Sequence, residues 1–223
     1  MKNPQDDLRI RTCVLYLFSL LGQNCRMQVD IKIERACRKA RGAGSNAAGR
    51  FELERGRVDD GWGIPGDAAQ IRTEVRMETA RSLITYNRSP DLPFDRSINP
   101  YRGCEHGCIY CFARPSHAYL GLSPGLDFET RLVARPNAAE VLRAEQGKPR
   151  YRVQTIALGT NTDPYQPVER DLGITRACLA VLAEFNHPLG IVTKGAMVER
   201  DLDILAPMAA RGLVRVGVSL TTL

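Results

Sequence analysis

From residue 152 onward the chain alternates between short apolar runs and helical stretches, and this alternation limits its fold more than any other feature. "RVQTIALGT" (152–160) is β-rich, apolar and closed by glycine, the pattern of a buried parallel strand. "GITRACLAVLAEFN" (173–186) repeats apolar residues at helical spacing, with Thr175 near its start and Pro188 just past its end. "LGIVTKG" reads as a second strand, "MVERDLDILAPMAARG" as a second helix closed by Gly212, and "LVRVGVSLTTL" as a third strand. Strands alternating with helices predict βαβ units on a parallel sheet. Polar residues collect where each strand ends, in "GTNTDPY", "TKG" and "SLTT". That is the carboxyl edge of the sheet, where α/β folds bind their ligands.

The first part of the chain has no such rhythm. Residues 1–40 combine an apolar patch, "CVLYLFSLLG", with a basic run, and read as a leader of doubtful order. The patch is too short to span a bilayer, which needs about 20 apolar residues, so no membrane partner is expected. Residues 41–78 begin with a Gly-, Ala- and charge-rich stretch and are expected to form a flexible or loosely wrapped extension. "TEVRMETARSLITYN" suggests a short strand or two, and "SPDLPFDRSINPYRG" a proline-punctuated approach to a cysteine-bearing loop. The principal domain is therefore placed at residues 79–223. The last strand is apolar enough to need cover on both faces, so a partial, truncated sheet is expected.

"NPYRGCEHGCIYCFARP" (99–115) puts Cys104, Cys108 and Cys111 on one loop. Seven cysteines in 223 residues is an odd count without the spacing of a secreted disulfide framework, which favours a reducing, cytoplasmic setting and a metal or catalytic role. A structural zinc site wants four ligands, and here His106 or His117 would have to supply the fourth; a non-catalytic zinc or cluster-bearing binding module is the alternative reading. Thiolates also hold iron–sulfur clusters, normally four per cubane, so three leave one iron open. The formal charge of +6 permits a polyanionic partner without requiring one.

The spacing Cys104-x3-Cys108-x2-Cys111, with Tyr110 before the last cysteine, resembles the cluster motif of the radical S-adenosylmethionine enzymes. "PFDRSINPYRGCEHGCIYCFARP", "HAYLGLSPGLDFETRLVARP" and "ALGTNTDPYQPVER" further resemble an uncharacterised bacterial branch near the spore photoproduct lyases. The resemblance implies a partial (βα) barrel, open and truncated after about the fourth strand. It implies that the three cysteines ligate a 4Fe-4S cluster whose fourth iron chelates S-adenosylmethionine. Reductive cleavage would then give a 5′-deoxyadenosyl radical for hydrogen abstraction, with lyase chemistry and DNA repair as the finer expectation and nucleic acid as a permitted substrate. A reducing partner of flavodoxin or ferredoxin type is implied. Tyr110 resembles the position beside the adenine, while Gly159, Thr160, Asn161, Thr162 and Asp163 stand where relatives contact the methionine amino group. Thr193 and Ser219 stand where relatives bind the ribose and carboxylate. This chain departs from the Gly-Gly-Glu type motif of many members, and an Asp-Pro turn capping a strand explains the same residues. Arg102 and Arg114 flank the cysteines and read as solvated charge, with electrostatic tuning of the cluster or contact with a polyanion as the alternative. His117 and Tyr119 read as packing, and Cys178 as a small buried hydrophobe with no assigned role in a radical relay.

Overall fold

The computed structural model describes residues 41–43 and 72–220. The leader, the greater part of the extension and residues 221–223 lie outside the described residues. Among the described residues no helix is long and apolar enough to cross a membrane.

Among the described residues eight strands form two sheets. In chain order they are β1 (Glu74–Met77), β2 (Ile84–Tyr86), β3 (Arg96–Ile98), β4 (Tyr101–Arg102), β5 (Arg131–Ala134), β6 (Ile156–Leu158), β7 (Leu189–Thr193) and β8 (Val214–Val218). The helices are α1 (Leu126–Thr130), α2 (Ala138–Gln146), α3 (Glu169–Leu172), α4 (Ile174–Glu184) and α5 (Leu202–Ala210), with 3-10 turns at Arg114–Leu120 and Ala196–Asp201.

The larger sheet runs β2-β3-β6-β7-β8. β2 is antiparallel to β3, and β3, β6, β7 and β8 are parallel to one another. Parallel strands placed in sequence order without reversal are the winding of a βα barrel, and here the sheet is open, with β2 and β8 as its described edges. The smaller sheet, β1-β5-β4, pairs the extension's β1 in parallel with β5.

Core packing follows from the apolar runs. Ile98, Ile156, Leu158, Leu189 and Ile191 point to one side of the larger sheet and are buried against Cys178, Leu179, Val181 and Leu182 of α4 and Leu205 and Met208 of α5. α4 packs between α2 and α5. The start of α4 is closed by the fully buried Glu169, whose carboxylate accepts the amides of Thr175 at 2.9 Å and Arg176 at 3.2 Å. Cys178 is completely buried in this core, and burial pushes its thiol up to about 12, so it behaves as the small hydrophobe its surroundings suggest.

The opposite side of the sheet is built differently. Ser97, Ala157, Gly190 and Arg215 are successive register partners across β3, β6, β7 and β8, and partners in a parallel ladder share a face. Three of the four are small, and a Cβ added at Gly190 would meet nothing within 4 Å. Barrel interiors are ordinarily filled by bulky branched side chains, whereas this face is lined by small residues and is open at Gly190.

Candidate functional site

Four chain segments emerge at the carboxyl edge of the parallel strands, and their backbones are tied together there. Asn99 follows β3 and leads through β4 into the cysteine loop. Its Oδ1 accepts the amide of Asn161 at 3.0 Å, and its Nδ2 donates to Thr160 Oγ1 at 3.2 Å. Thr162 donates its hydroxyl to Gly103 O at 2.6 Å, and Gln166, also buried, reaches the same carbonyl and accepts the amide of Glu105 at 3.0 Å. The segment after β6 is thus stitched to the root of the cysteine loop.

Asp163 makes the next tie. Its Oδ1 accepts the Thr193 hydroxyl at 2.6 Å and the Tyr165 amide at 2.9 Å, and its Oδ2 accepts the Lys194 amide at 2.8 Å. His106, within the cysteine loop, places Nε2 3.4 Å from the same Oδ2 without hydrogen-bond alignment, leaving that buried nitrogen unpartnered. The Ser219 amide then donates to Thr193 O at 2.8 Å, extending the β7–β8 pairing. Gly159 has φ +91°, and a Cβ there would fall 2.1 Å from Val192 O. Its close approach is to the neighbouring strand, so the glycine lets β6 turn sharply over β7.

The structure therefore ties Thr160, Asn161, Thr162, Asp163, Thr193 and Ser219 to one another or to the root of the cysteine loop along this edge. Tyr110, half exposed, hydrogen-bonds Lys194 Nζ, which also lies 4.6 Å from its ring centroid. Burial works against the Lys194 charge, but hydrogen bonds to Tyr110 and Cys108 outweigh it and raise its pKa. Thr162, Asp163 and Thr193 spend their polar groups on holding the edge together.

The loop carries its three thiols unpaired: Cys104 buried, Cys108 and Cys111 half-buried. Two tight turns shape it, Gly107 N to Cys104 O at 3.2 Å and Cys111 N to Cys108 O at 3.1 Å. Gly103 and Gly107 both adopt positive φ, at 78° and 59°. Burial pushes the Cys104 thiol up to about 12 and also raises Cys111, so a metal bound here displaces protons from both. Among the described residues no group of three His, Cys, Asp or Glu side chains stands ready as a metal cage. What fits an iron–sulfur cluster is the donor set, three soft thiols on one anchored loop. Of the histidines proposed as a fourth zinc ligand, His106 lies 3.4 Å from Asp163 Oδ2, and His117 bonds Arg131 O at 2.9 Å through Nε2 and meets the Phe128 ring edge-to-face.

Sequence reasoning missed the residue that holds this loop. Arg114, read as solvated charge, is nearly buried and places five hydrogen bonds on its surroundings. Nε donates to Cys108 O at 2.9 Å, Nη2 to Gly107 O at 3.0 Å and to Glu129, and Nη1 to Pro124 O and Gly125 O at 3.1 Å each. Its guanidinium also covers the Phe128 ring at 5.3 Å. Tyr119, read as packing, is exposed.

A family described as the Radical SAM superfamily matches residues 98–223. Uncharacterised proteins of Mycobacterium tuberculosis and Mycobacterium bovis are each 49% identical over 129 residues, covering 58% of this chain and 38% of theirs. An uncharacterised protein of Methanocaldococcus jannaschii is 27% identical over 107 residues, covering 48% of this chain and 38% of its own. The chain thus spans about two-fifths of the length of these curated relatives. No solved structure matches it.

Proposed function

The chain belongs to the radical SAM superfamily, and from that premise we propose that it belongs to a protein that cleaves S-adenosylmethionine reductively to abstract hydrogen from a substrate. Cys104, Cys108 and Cys111 would hold the 4Fe-4S cluster. When bound, the cluster and S-adenosylmethionine supply an electron and a 5′-deoxyadenosyl radical, while the protein supplies position and environment. The observation that carries the reading is the join between the cysteine loop and the strand ends: Thr162 and Gln166 bind Gly103 O, and Asp163 connects β6 to β7. These ties keep the loop over the carboxyl edge of the parallel sheet, where ligands of such folds are bound.

Individual residues have distinct parts in this reading. Thr160 and Asn161, partly exposed beside Asn99, offer polar groups toward a bound amino acid. Lys194 presents a cation beside Tyr110, suited to a carboxylate, and the Tyr110 ring is half exposed for stacking or contact with a purine. Asp163 acts through Thr193 and the Lys194 amide, as a positioning residue. The small-residue face of Ser97, Ala157 and Gly190 leaves space for substrate next to this edge.

Nucleic acid is the substrate class this reading favours. The net charge of +6 and the exposed Arg215 on the small-residue face support it, and the resemblance read in the sequence to the spore photoproduct lyases motivates it. A small redox protein of flavodoxin or ferredoxin type would deliver the electron, and the setting would be cytoplasmic.

The test is anaerobic reconstitution with iron and sulfide, reduction in the presence of S-adenosylmethionine, and assay of 5′-deoxyadenosine. Production that disappears in Cys104→Ala, Cys108→Ala and Cys111→Ala is the expected outcome. Zinc bound in place of iron would overturn the reading, and salt-independent or absent DNA binding would overturn its substrate class.

A further inference from the structure

Residues 41–43 belong to the segment whose composition suggests loose wrapping, yet they lie directly beneath the cysteine loop. We propose that Arg41–Gly42–Ala43 and Glu129 form a positioning unit for that loop, making the start of the extension part of the cofactor site. The proposal rests on the radical SAM reading for the identity of the group held, but its structural half stands without any cofactor.

Glu129 is completely buried at the end of α1. A buried carboxylate is costly unless its lone pairs are met, and here both oxygens are doubly engaged. Oε2 accepts the amides of Arg41 at 2.9 Å and Gly42 at 3.0 Å, while Oε1 accepts the amide of Ala43 at 2.7 Å together with Arg114 Nη2. Three consecutive amides closing on one anion make a backbone nest, filled by the protein's own side chain. Arg114 carries the connection onward, because its other donors hold the carbonyls of Gly107 and Cys108. The line from the strap through Glu129 and Arg114 to the cysteine loop is continuous.

Two further contacts point to the same role. A Cβ on Gly42 would fall 1.9 Å from Gly107 O, and a Cβ on Gly107 would fall 2.5 Å from Arg41 Cβ, so the strap and the loop approach as closely as two glycines allow. The Arg41 side chain donates to Glu129 O at 2.9 Å and to Glu105 Oε1 and Thr73 Oγ1 at 3.2 Å each. Glu105, between the first two cysteines, is fixed in turn by the Val168 amide at 2.8 Å and the Thr73 hydroxyl at 2.8 Å. The stretch Glu105–Gly107 that joins Cys104 to Cys108 is therefore held by Arg41, Thr73 and Val168 together.

The direct test needs no iron. Amide hydrogen exchange of the apo 223-residue chain is compared between the natural sequence and Gly42→Val, in peptides covering 104–111 and 174–184. Exchange in 104–111 is expected to accelerate about tenfold or more while 174–184 is unchanged. Equal rates in 104–111 would overturn the positioning unit. If Gly42→Val also releases 174–184, Arg41→Ala decides: about threefold faster exchange in 104–111, partly restored by Arg41→Lys, supports the proposal, and no acceleration overturns it. After iron–sulfide reconstitution, a chelator should strip iron from Gly42→Val about tenfold faster than from the natural chain; equal loss would refute the link to the cofactor. A chain that takes up no cluster at all would overturn the proposed function and leave the exchange result standing.

Discussion

The two halves of the described domain are held together by different forces. The β6–α4–β7–α5 half packs Ile156, Leu158, Leu179, Leu182, Leu189 and Met208 into one continuous apolar core. Around the cysteine loop the buried apolar cluster shrinks to Cys104, Ala113 and Phe128, with Cys111 against it. There the order comes from polar side chains gripping backbone carbonyls and amides, with Arg114 and Glu129 at the centre. A loop that must present thiols to a bound group cannot bury them under leucines, so directional bonds fix its shape instead. Such bonds are strong only while every partner is present, since a single missing partner leaves a buried charge or donor unmet.

The contrast predicts where substitutions act. The largest effect is expected from Arg114→Ala, which leaves the buried Glu129 carboxylate with amide donors but without its cation, at a cost of about 3–5 kcal/mol. Its loss should appear first as rapid exchange in 104–111, and global unfolding preceding any such local release would break the comparison. Leu182→Ala, fully buried in α4, should cost about 2–5 kcal/mol and act in the opposite sense. Denaturant unfolding of the apo chain should shift while protection of 104–111 relative to the rest is kept. Gly159→Ala is intermediate: the strained backbone and the overlap with Val192 O predict a loss of about 1–3 kcal/mol, read as a lowered melting temperature.

The smallest effect sharpens the comparison by pH. His117 lies near the loop and His187 lies in the core half, and burial lowers the pKa of both. His187 Nδ1 must carry the hydrogen, since Pro188 O at 3.0 Å can only accept, and Nε2 then accepts from Tyr151 at 2.7 Å. A folded pKa below the unfolded value of about 6.5 means that the unfolded chain binds more protons as pH falls. Stability should therefore be full above about pH 6.5 and decline below it until the folded pKa is passed. The melting temperature should drop as pH falls below about 6.5, with a shallower slope in His187→Gln. A slope unchanged in that variant would remove His187 from the account.

What could be read from the sequence divides along the same line. Apolar runs made β6, β7 and β8 and the amphipathic α4 legible, and with them the carboxyl edge where the site lies. β3 was missed because "RSI" is short and opens on Arg96, a buried cation that only the fold provides with Asp95, Arg152 O and the Tyr86 and Tyr151 rings as partners. α2 was missed because few of its residues are apolar, although Ala138 and Leu142 are fully buried. Arg114 and Glu129 carry no local signal, because their partners are backbone atoms that only the finished fold assembles. Asp163 stood out in the sequence at a strand end, yet its bonds to Thr193 and Lys194 link strands about thirty residues apart, beyond any motif's reach.

The central claim is that three thiols on a polar-wired loop leave one iron of the cluster for an external ligand. Electron paramagnetic resonance of the reconstituted, reduced chain with and without S-adenosylmethionine tests it most directly. The account predicts a cluster signal that changes when S-adenosylmethionine is added and is lost or altered in each of Cys104→Ala, Cys108→Ala and Cys111→Ala. A cluster signal indifferent to S-adenosylmethionine, or one that survives all three substitutions unchanged, would contradict it.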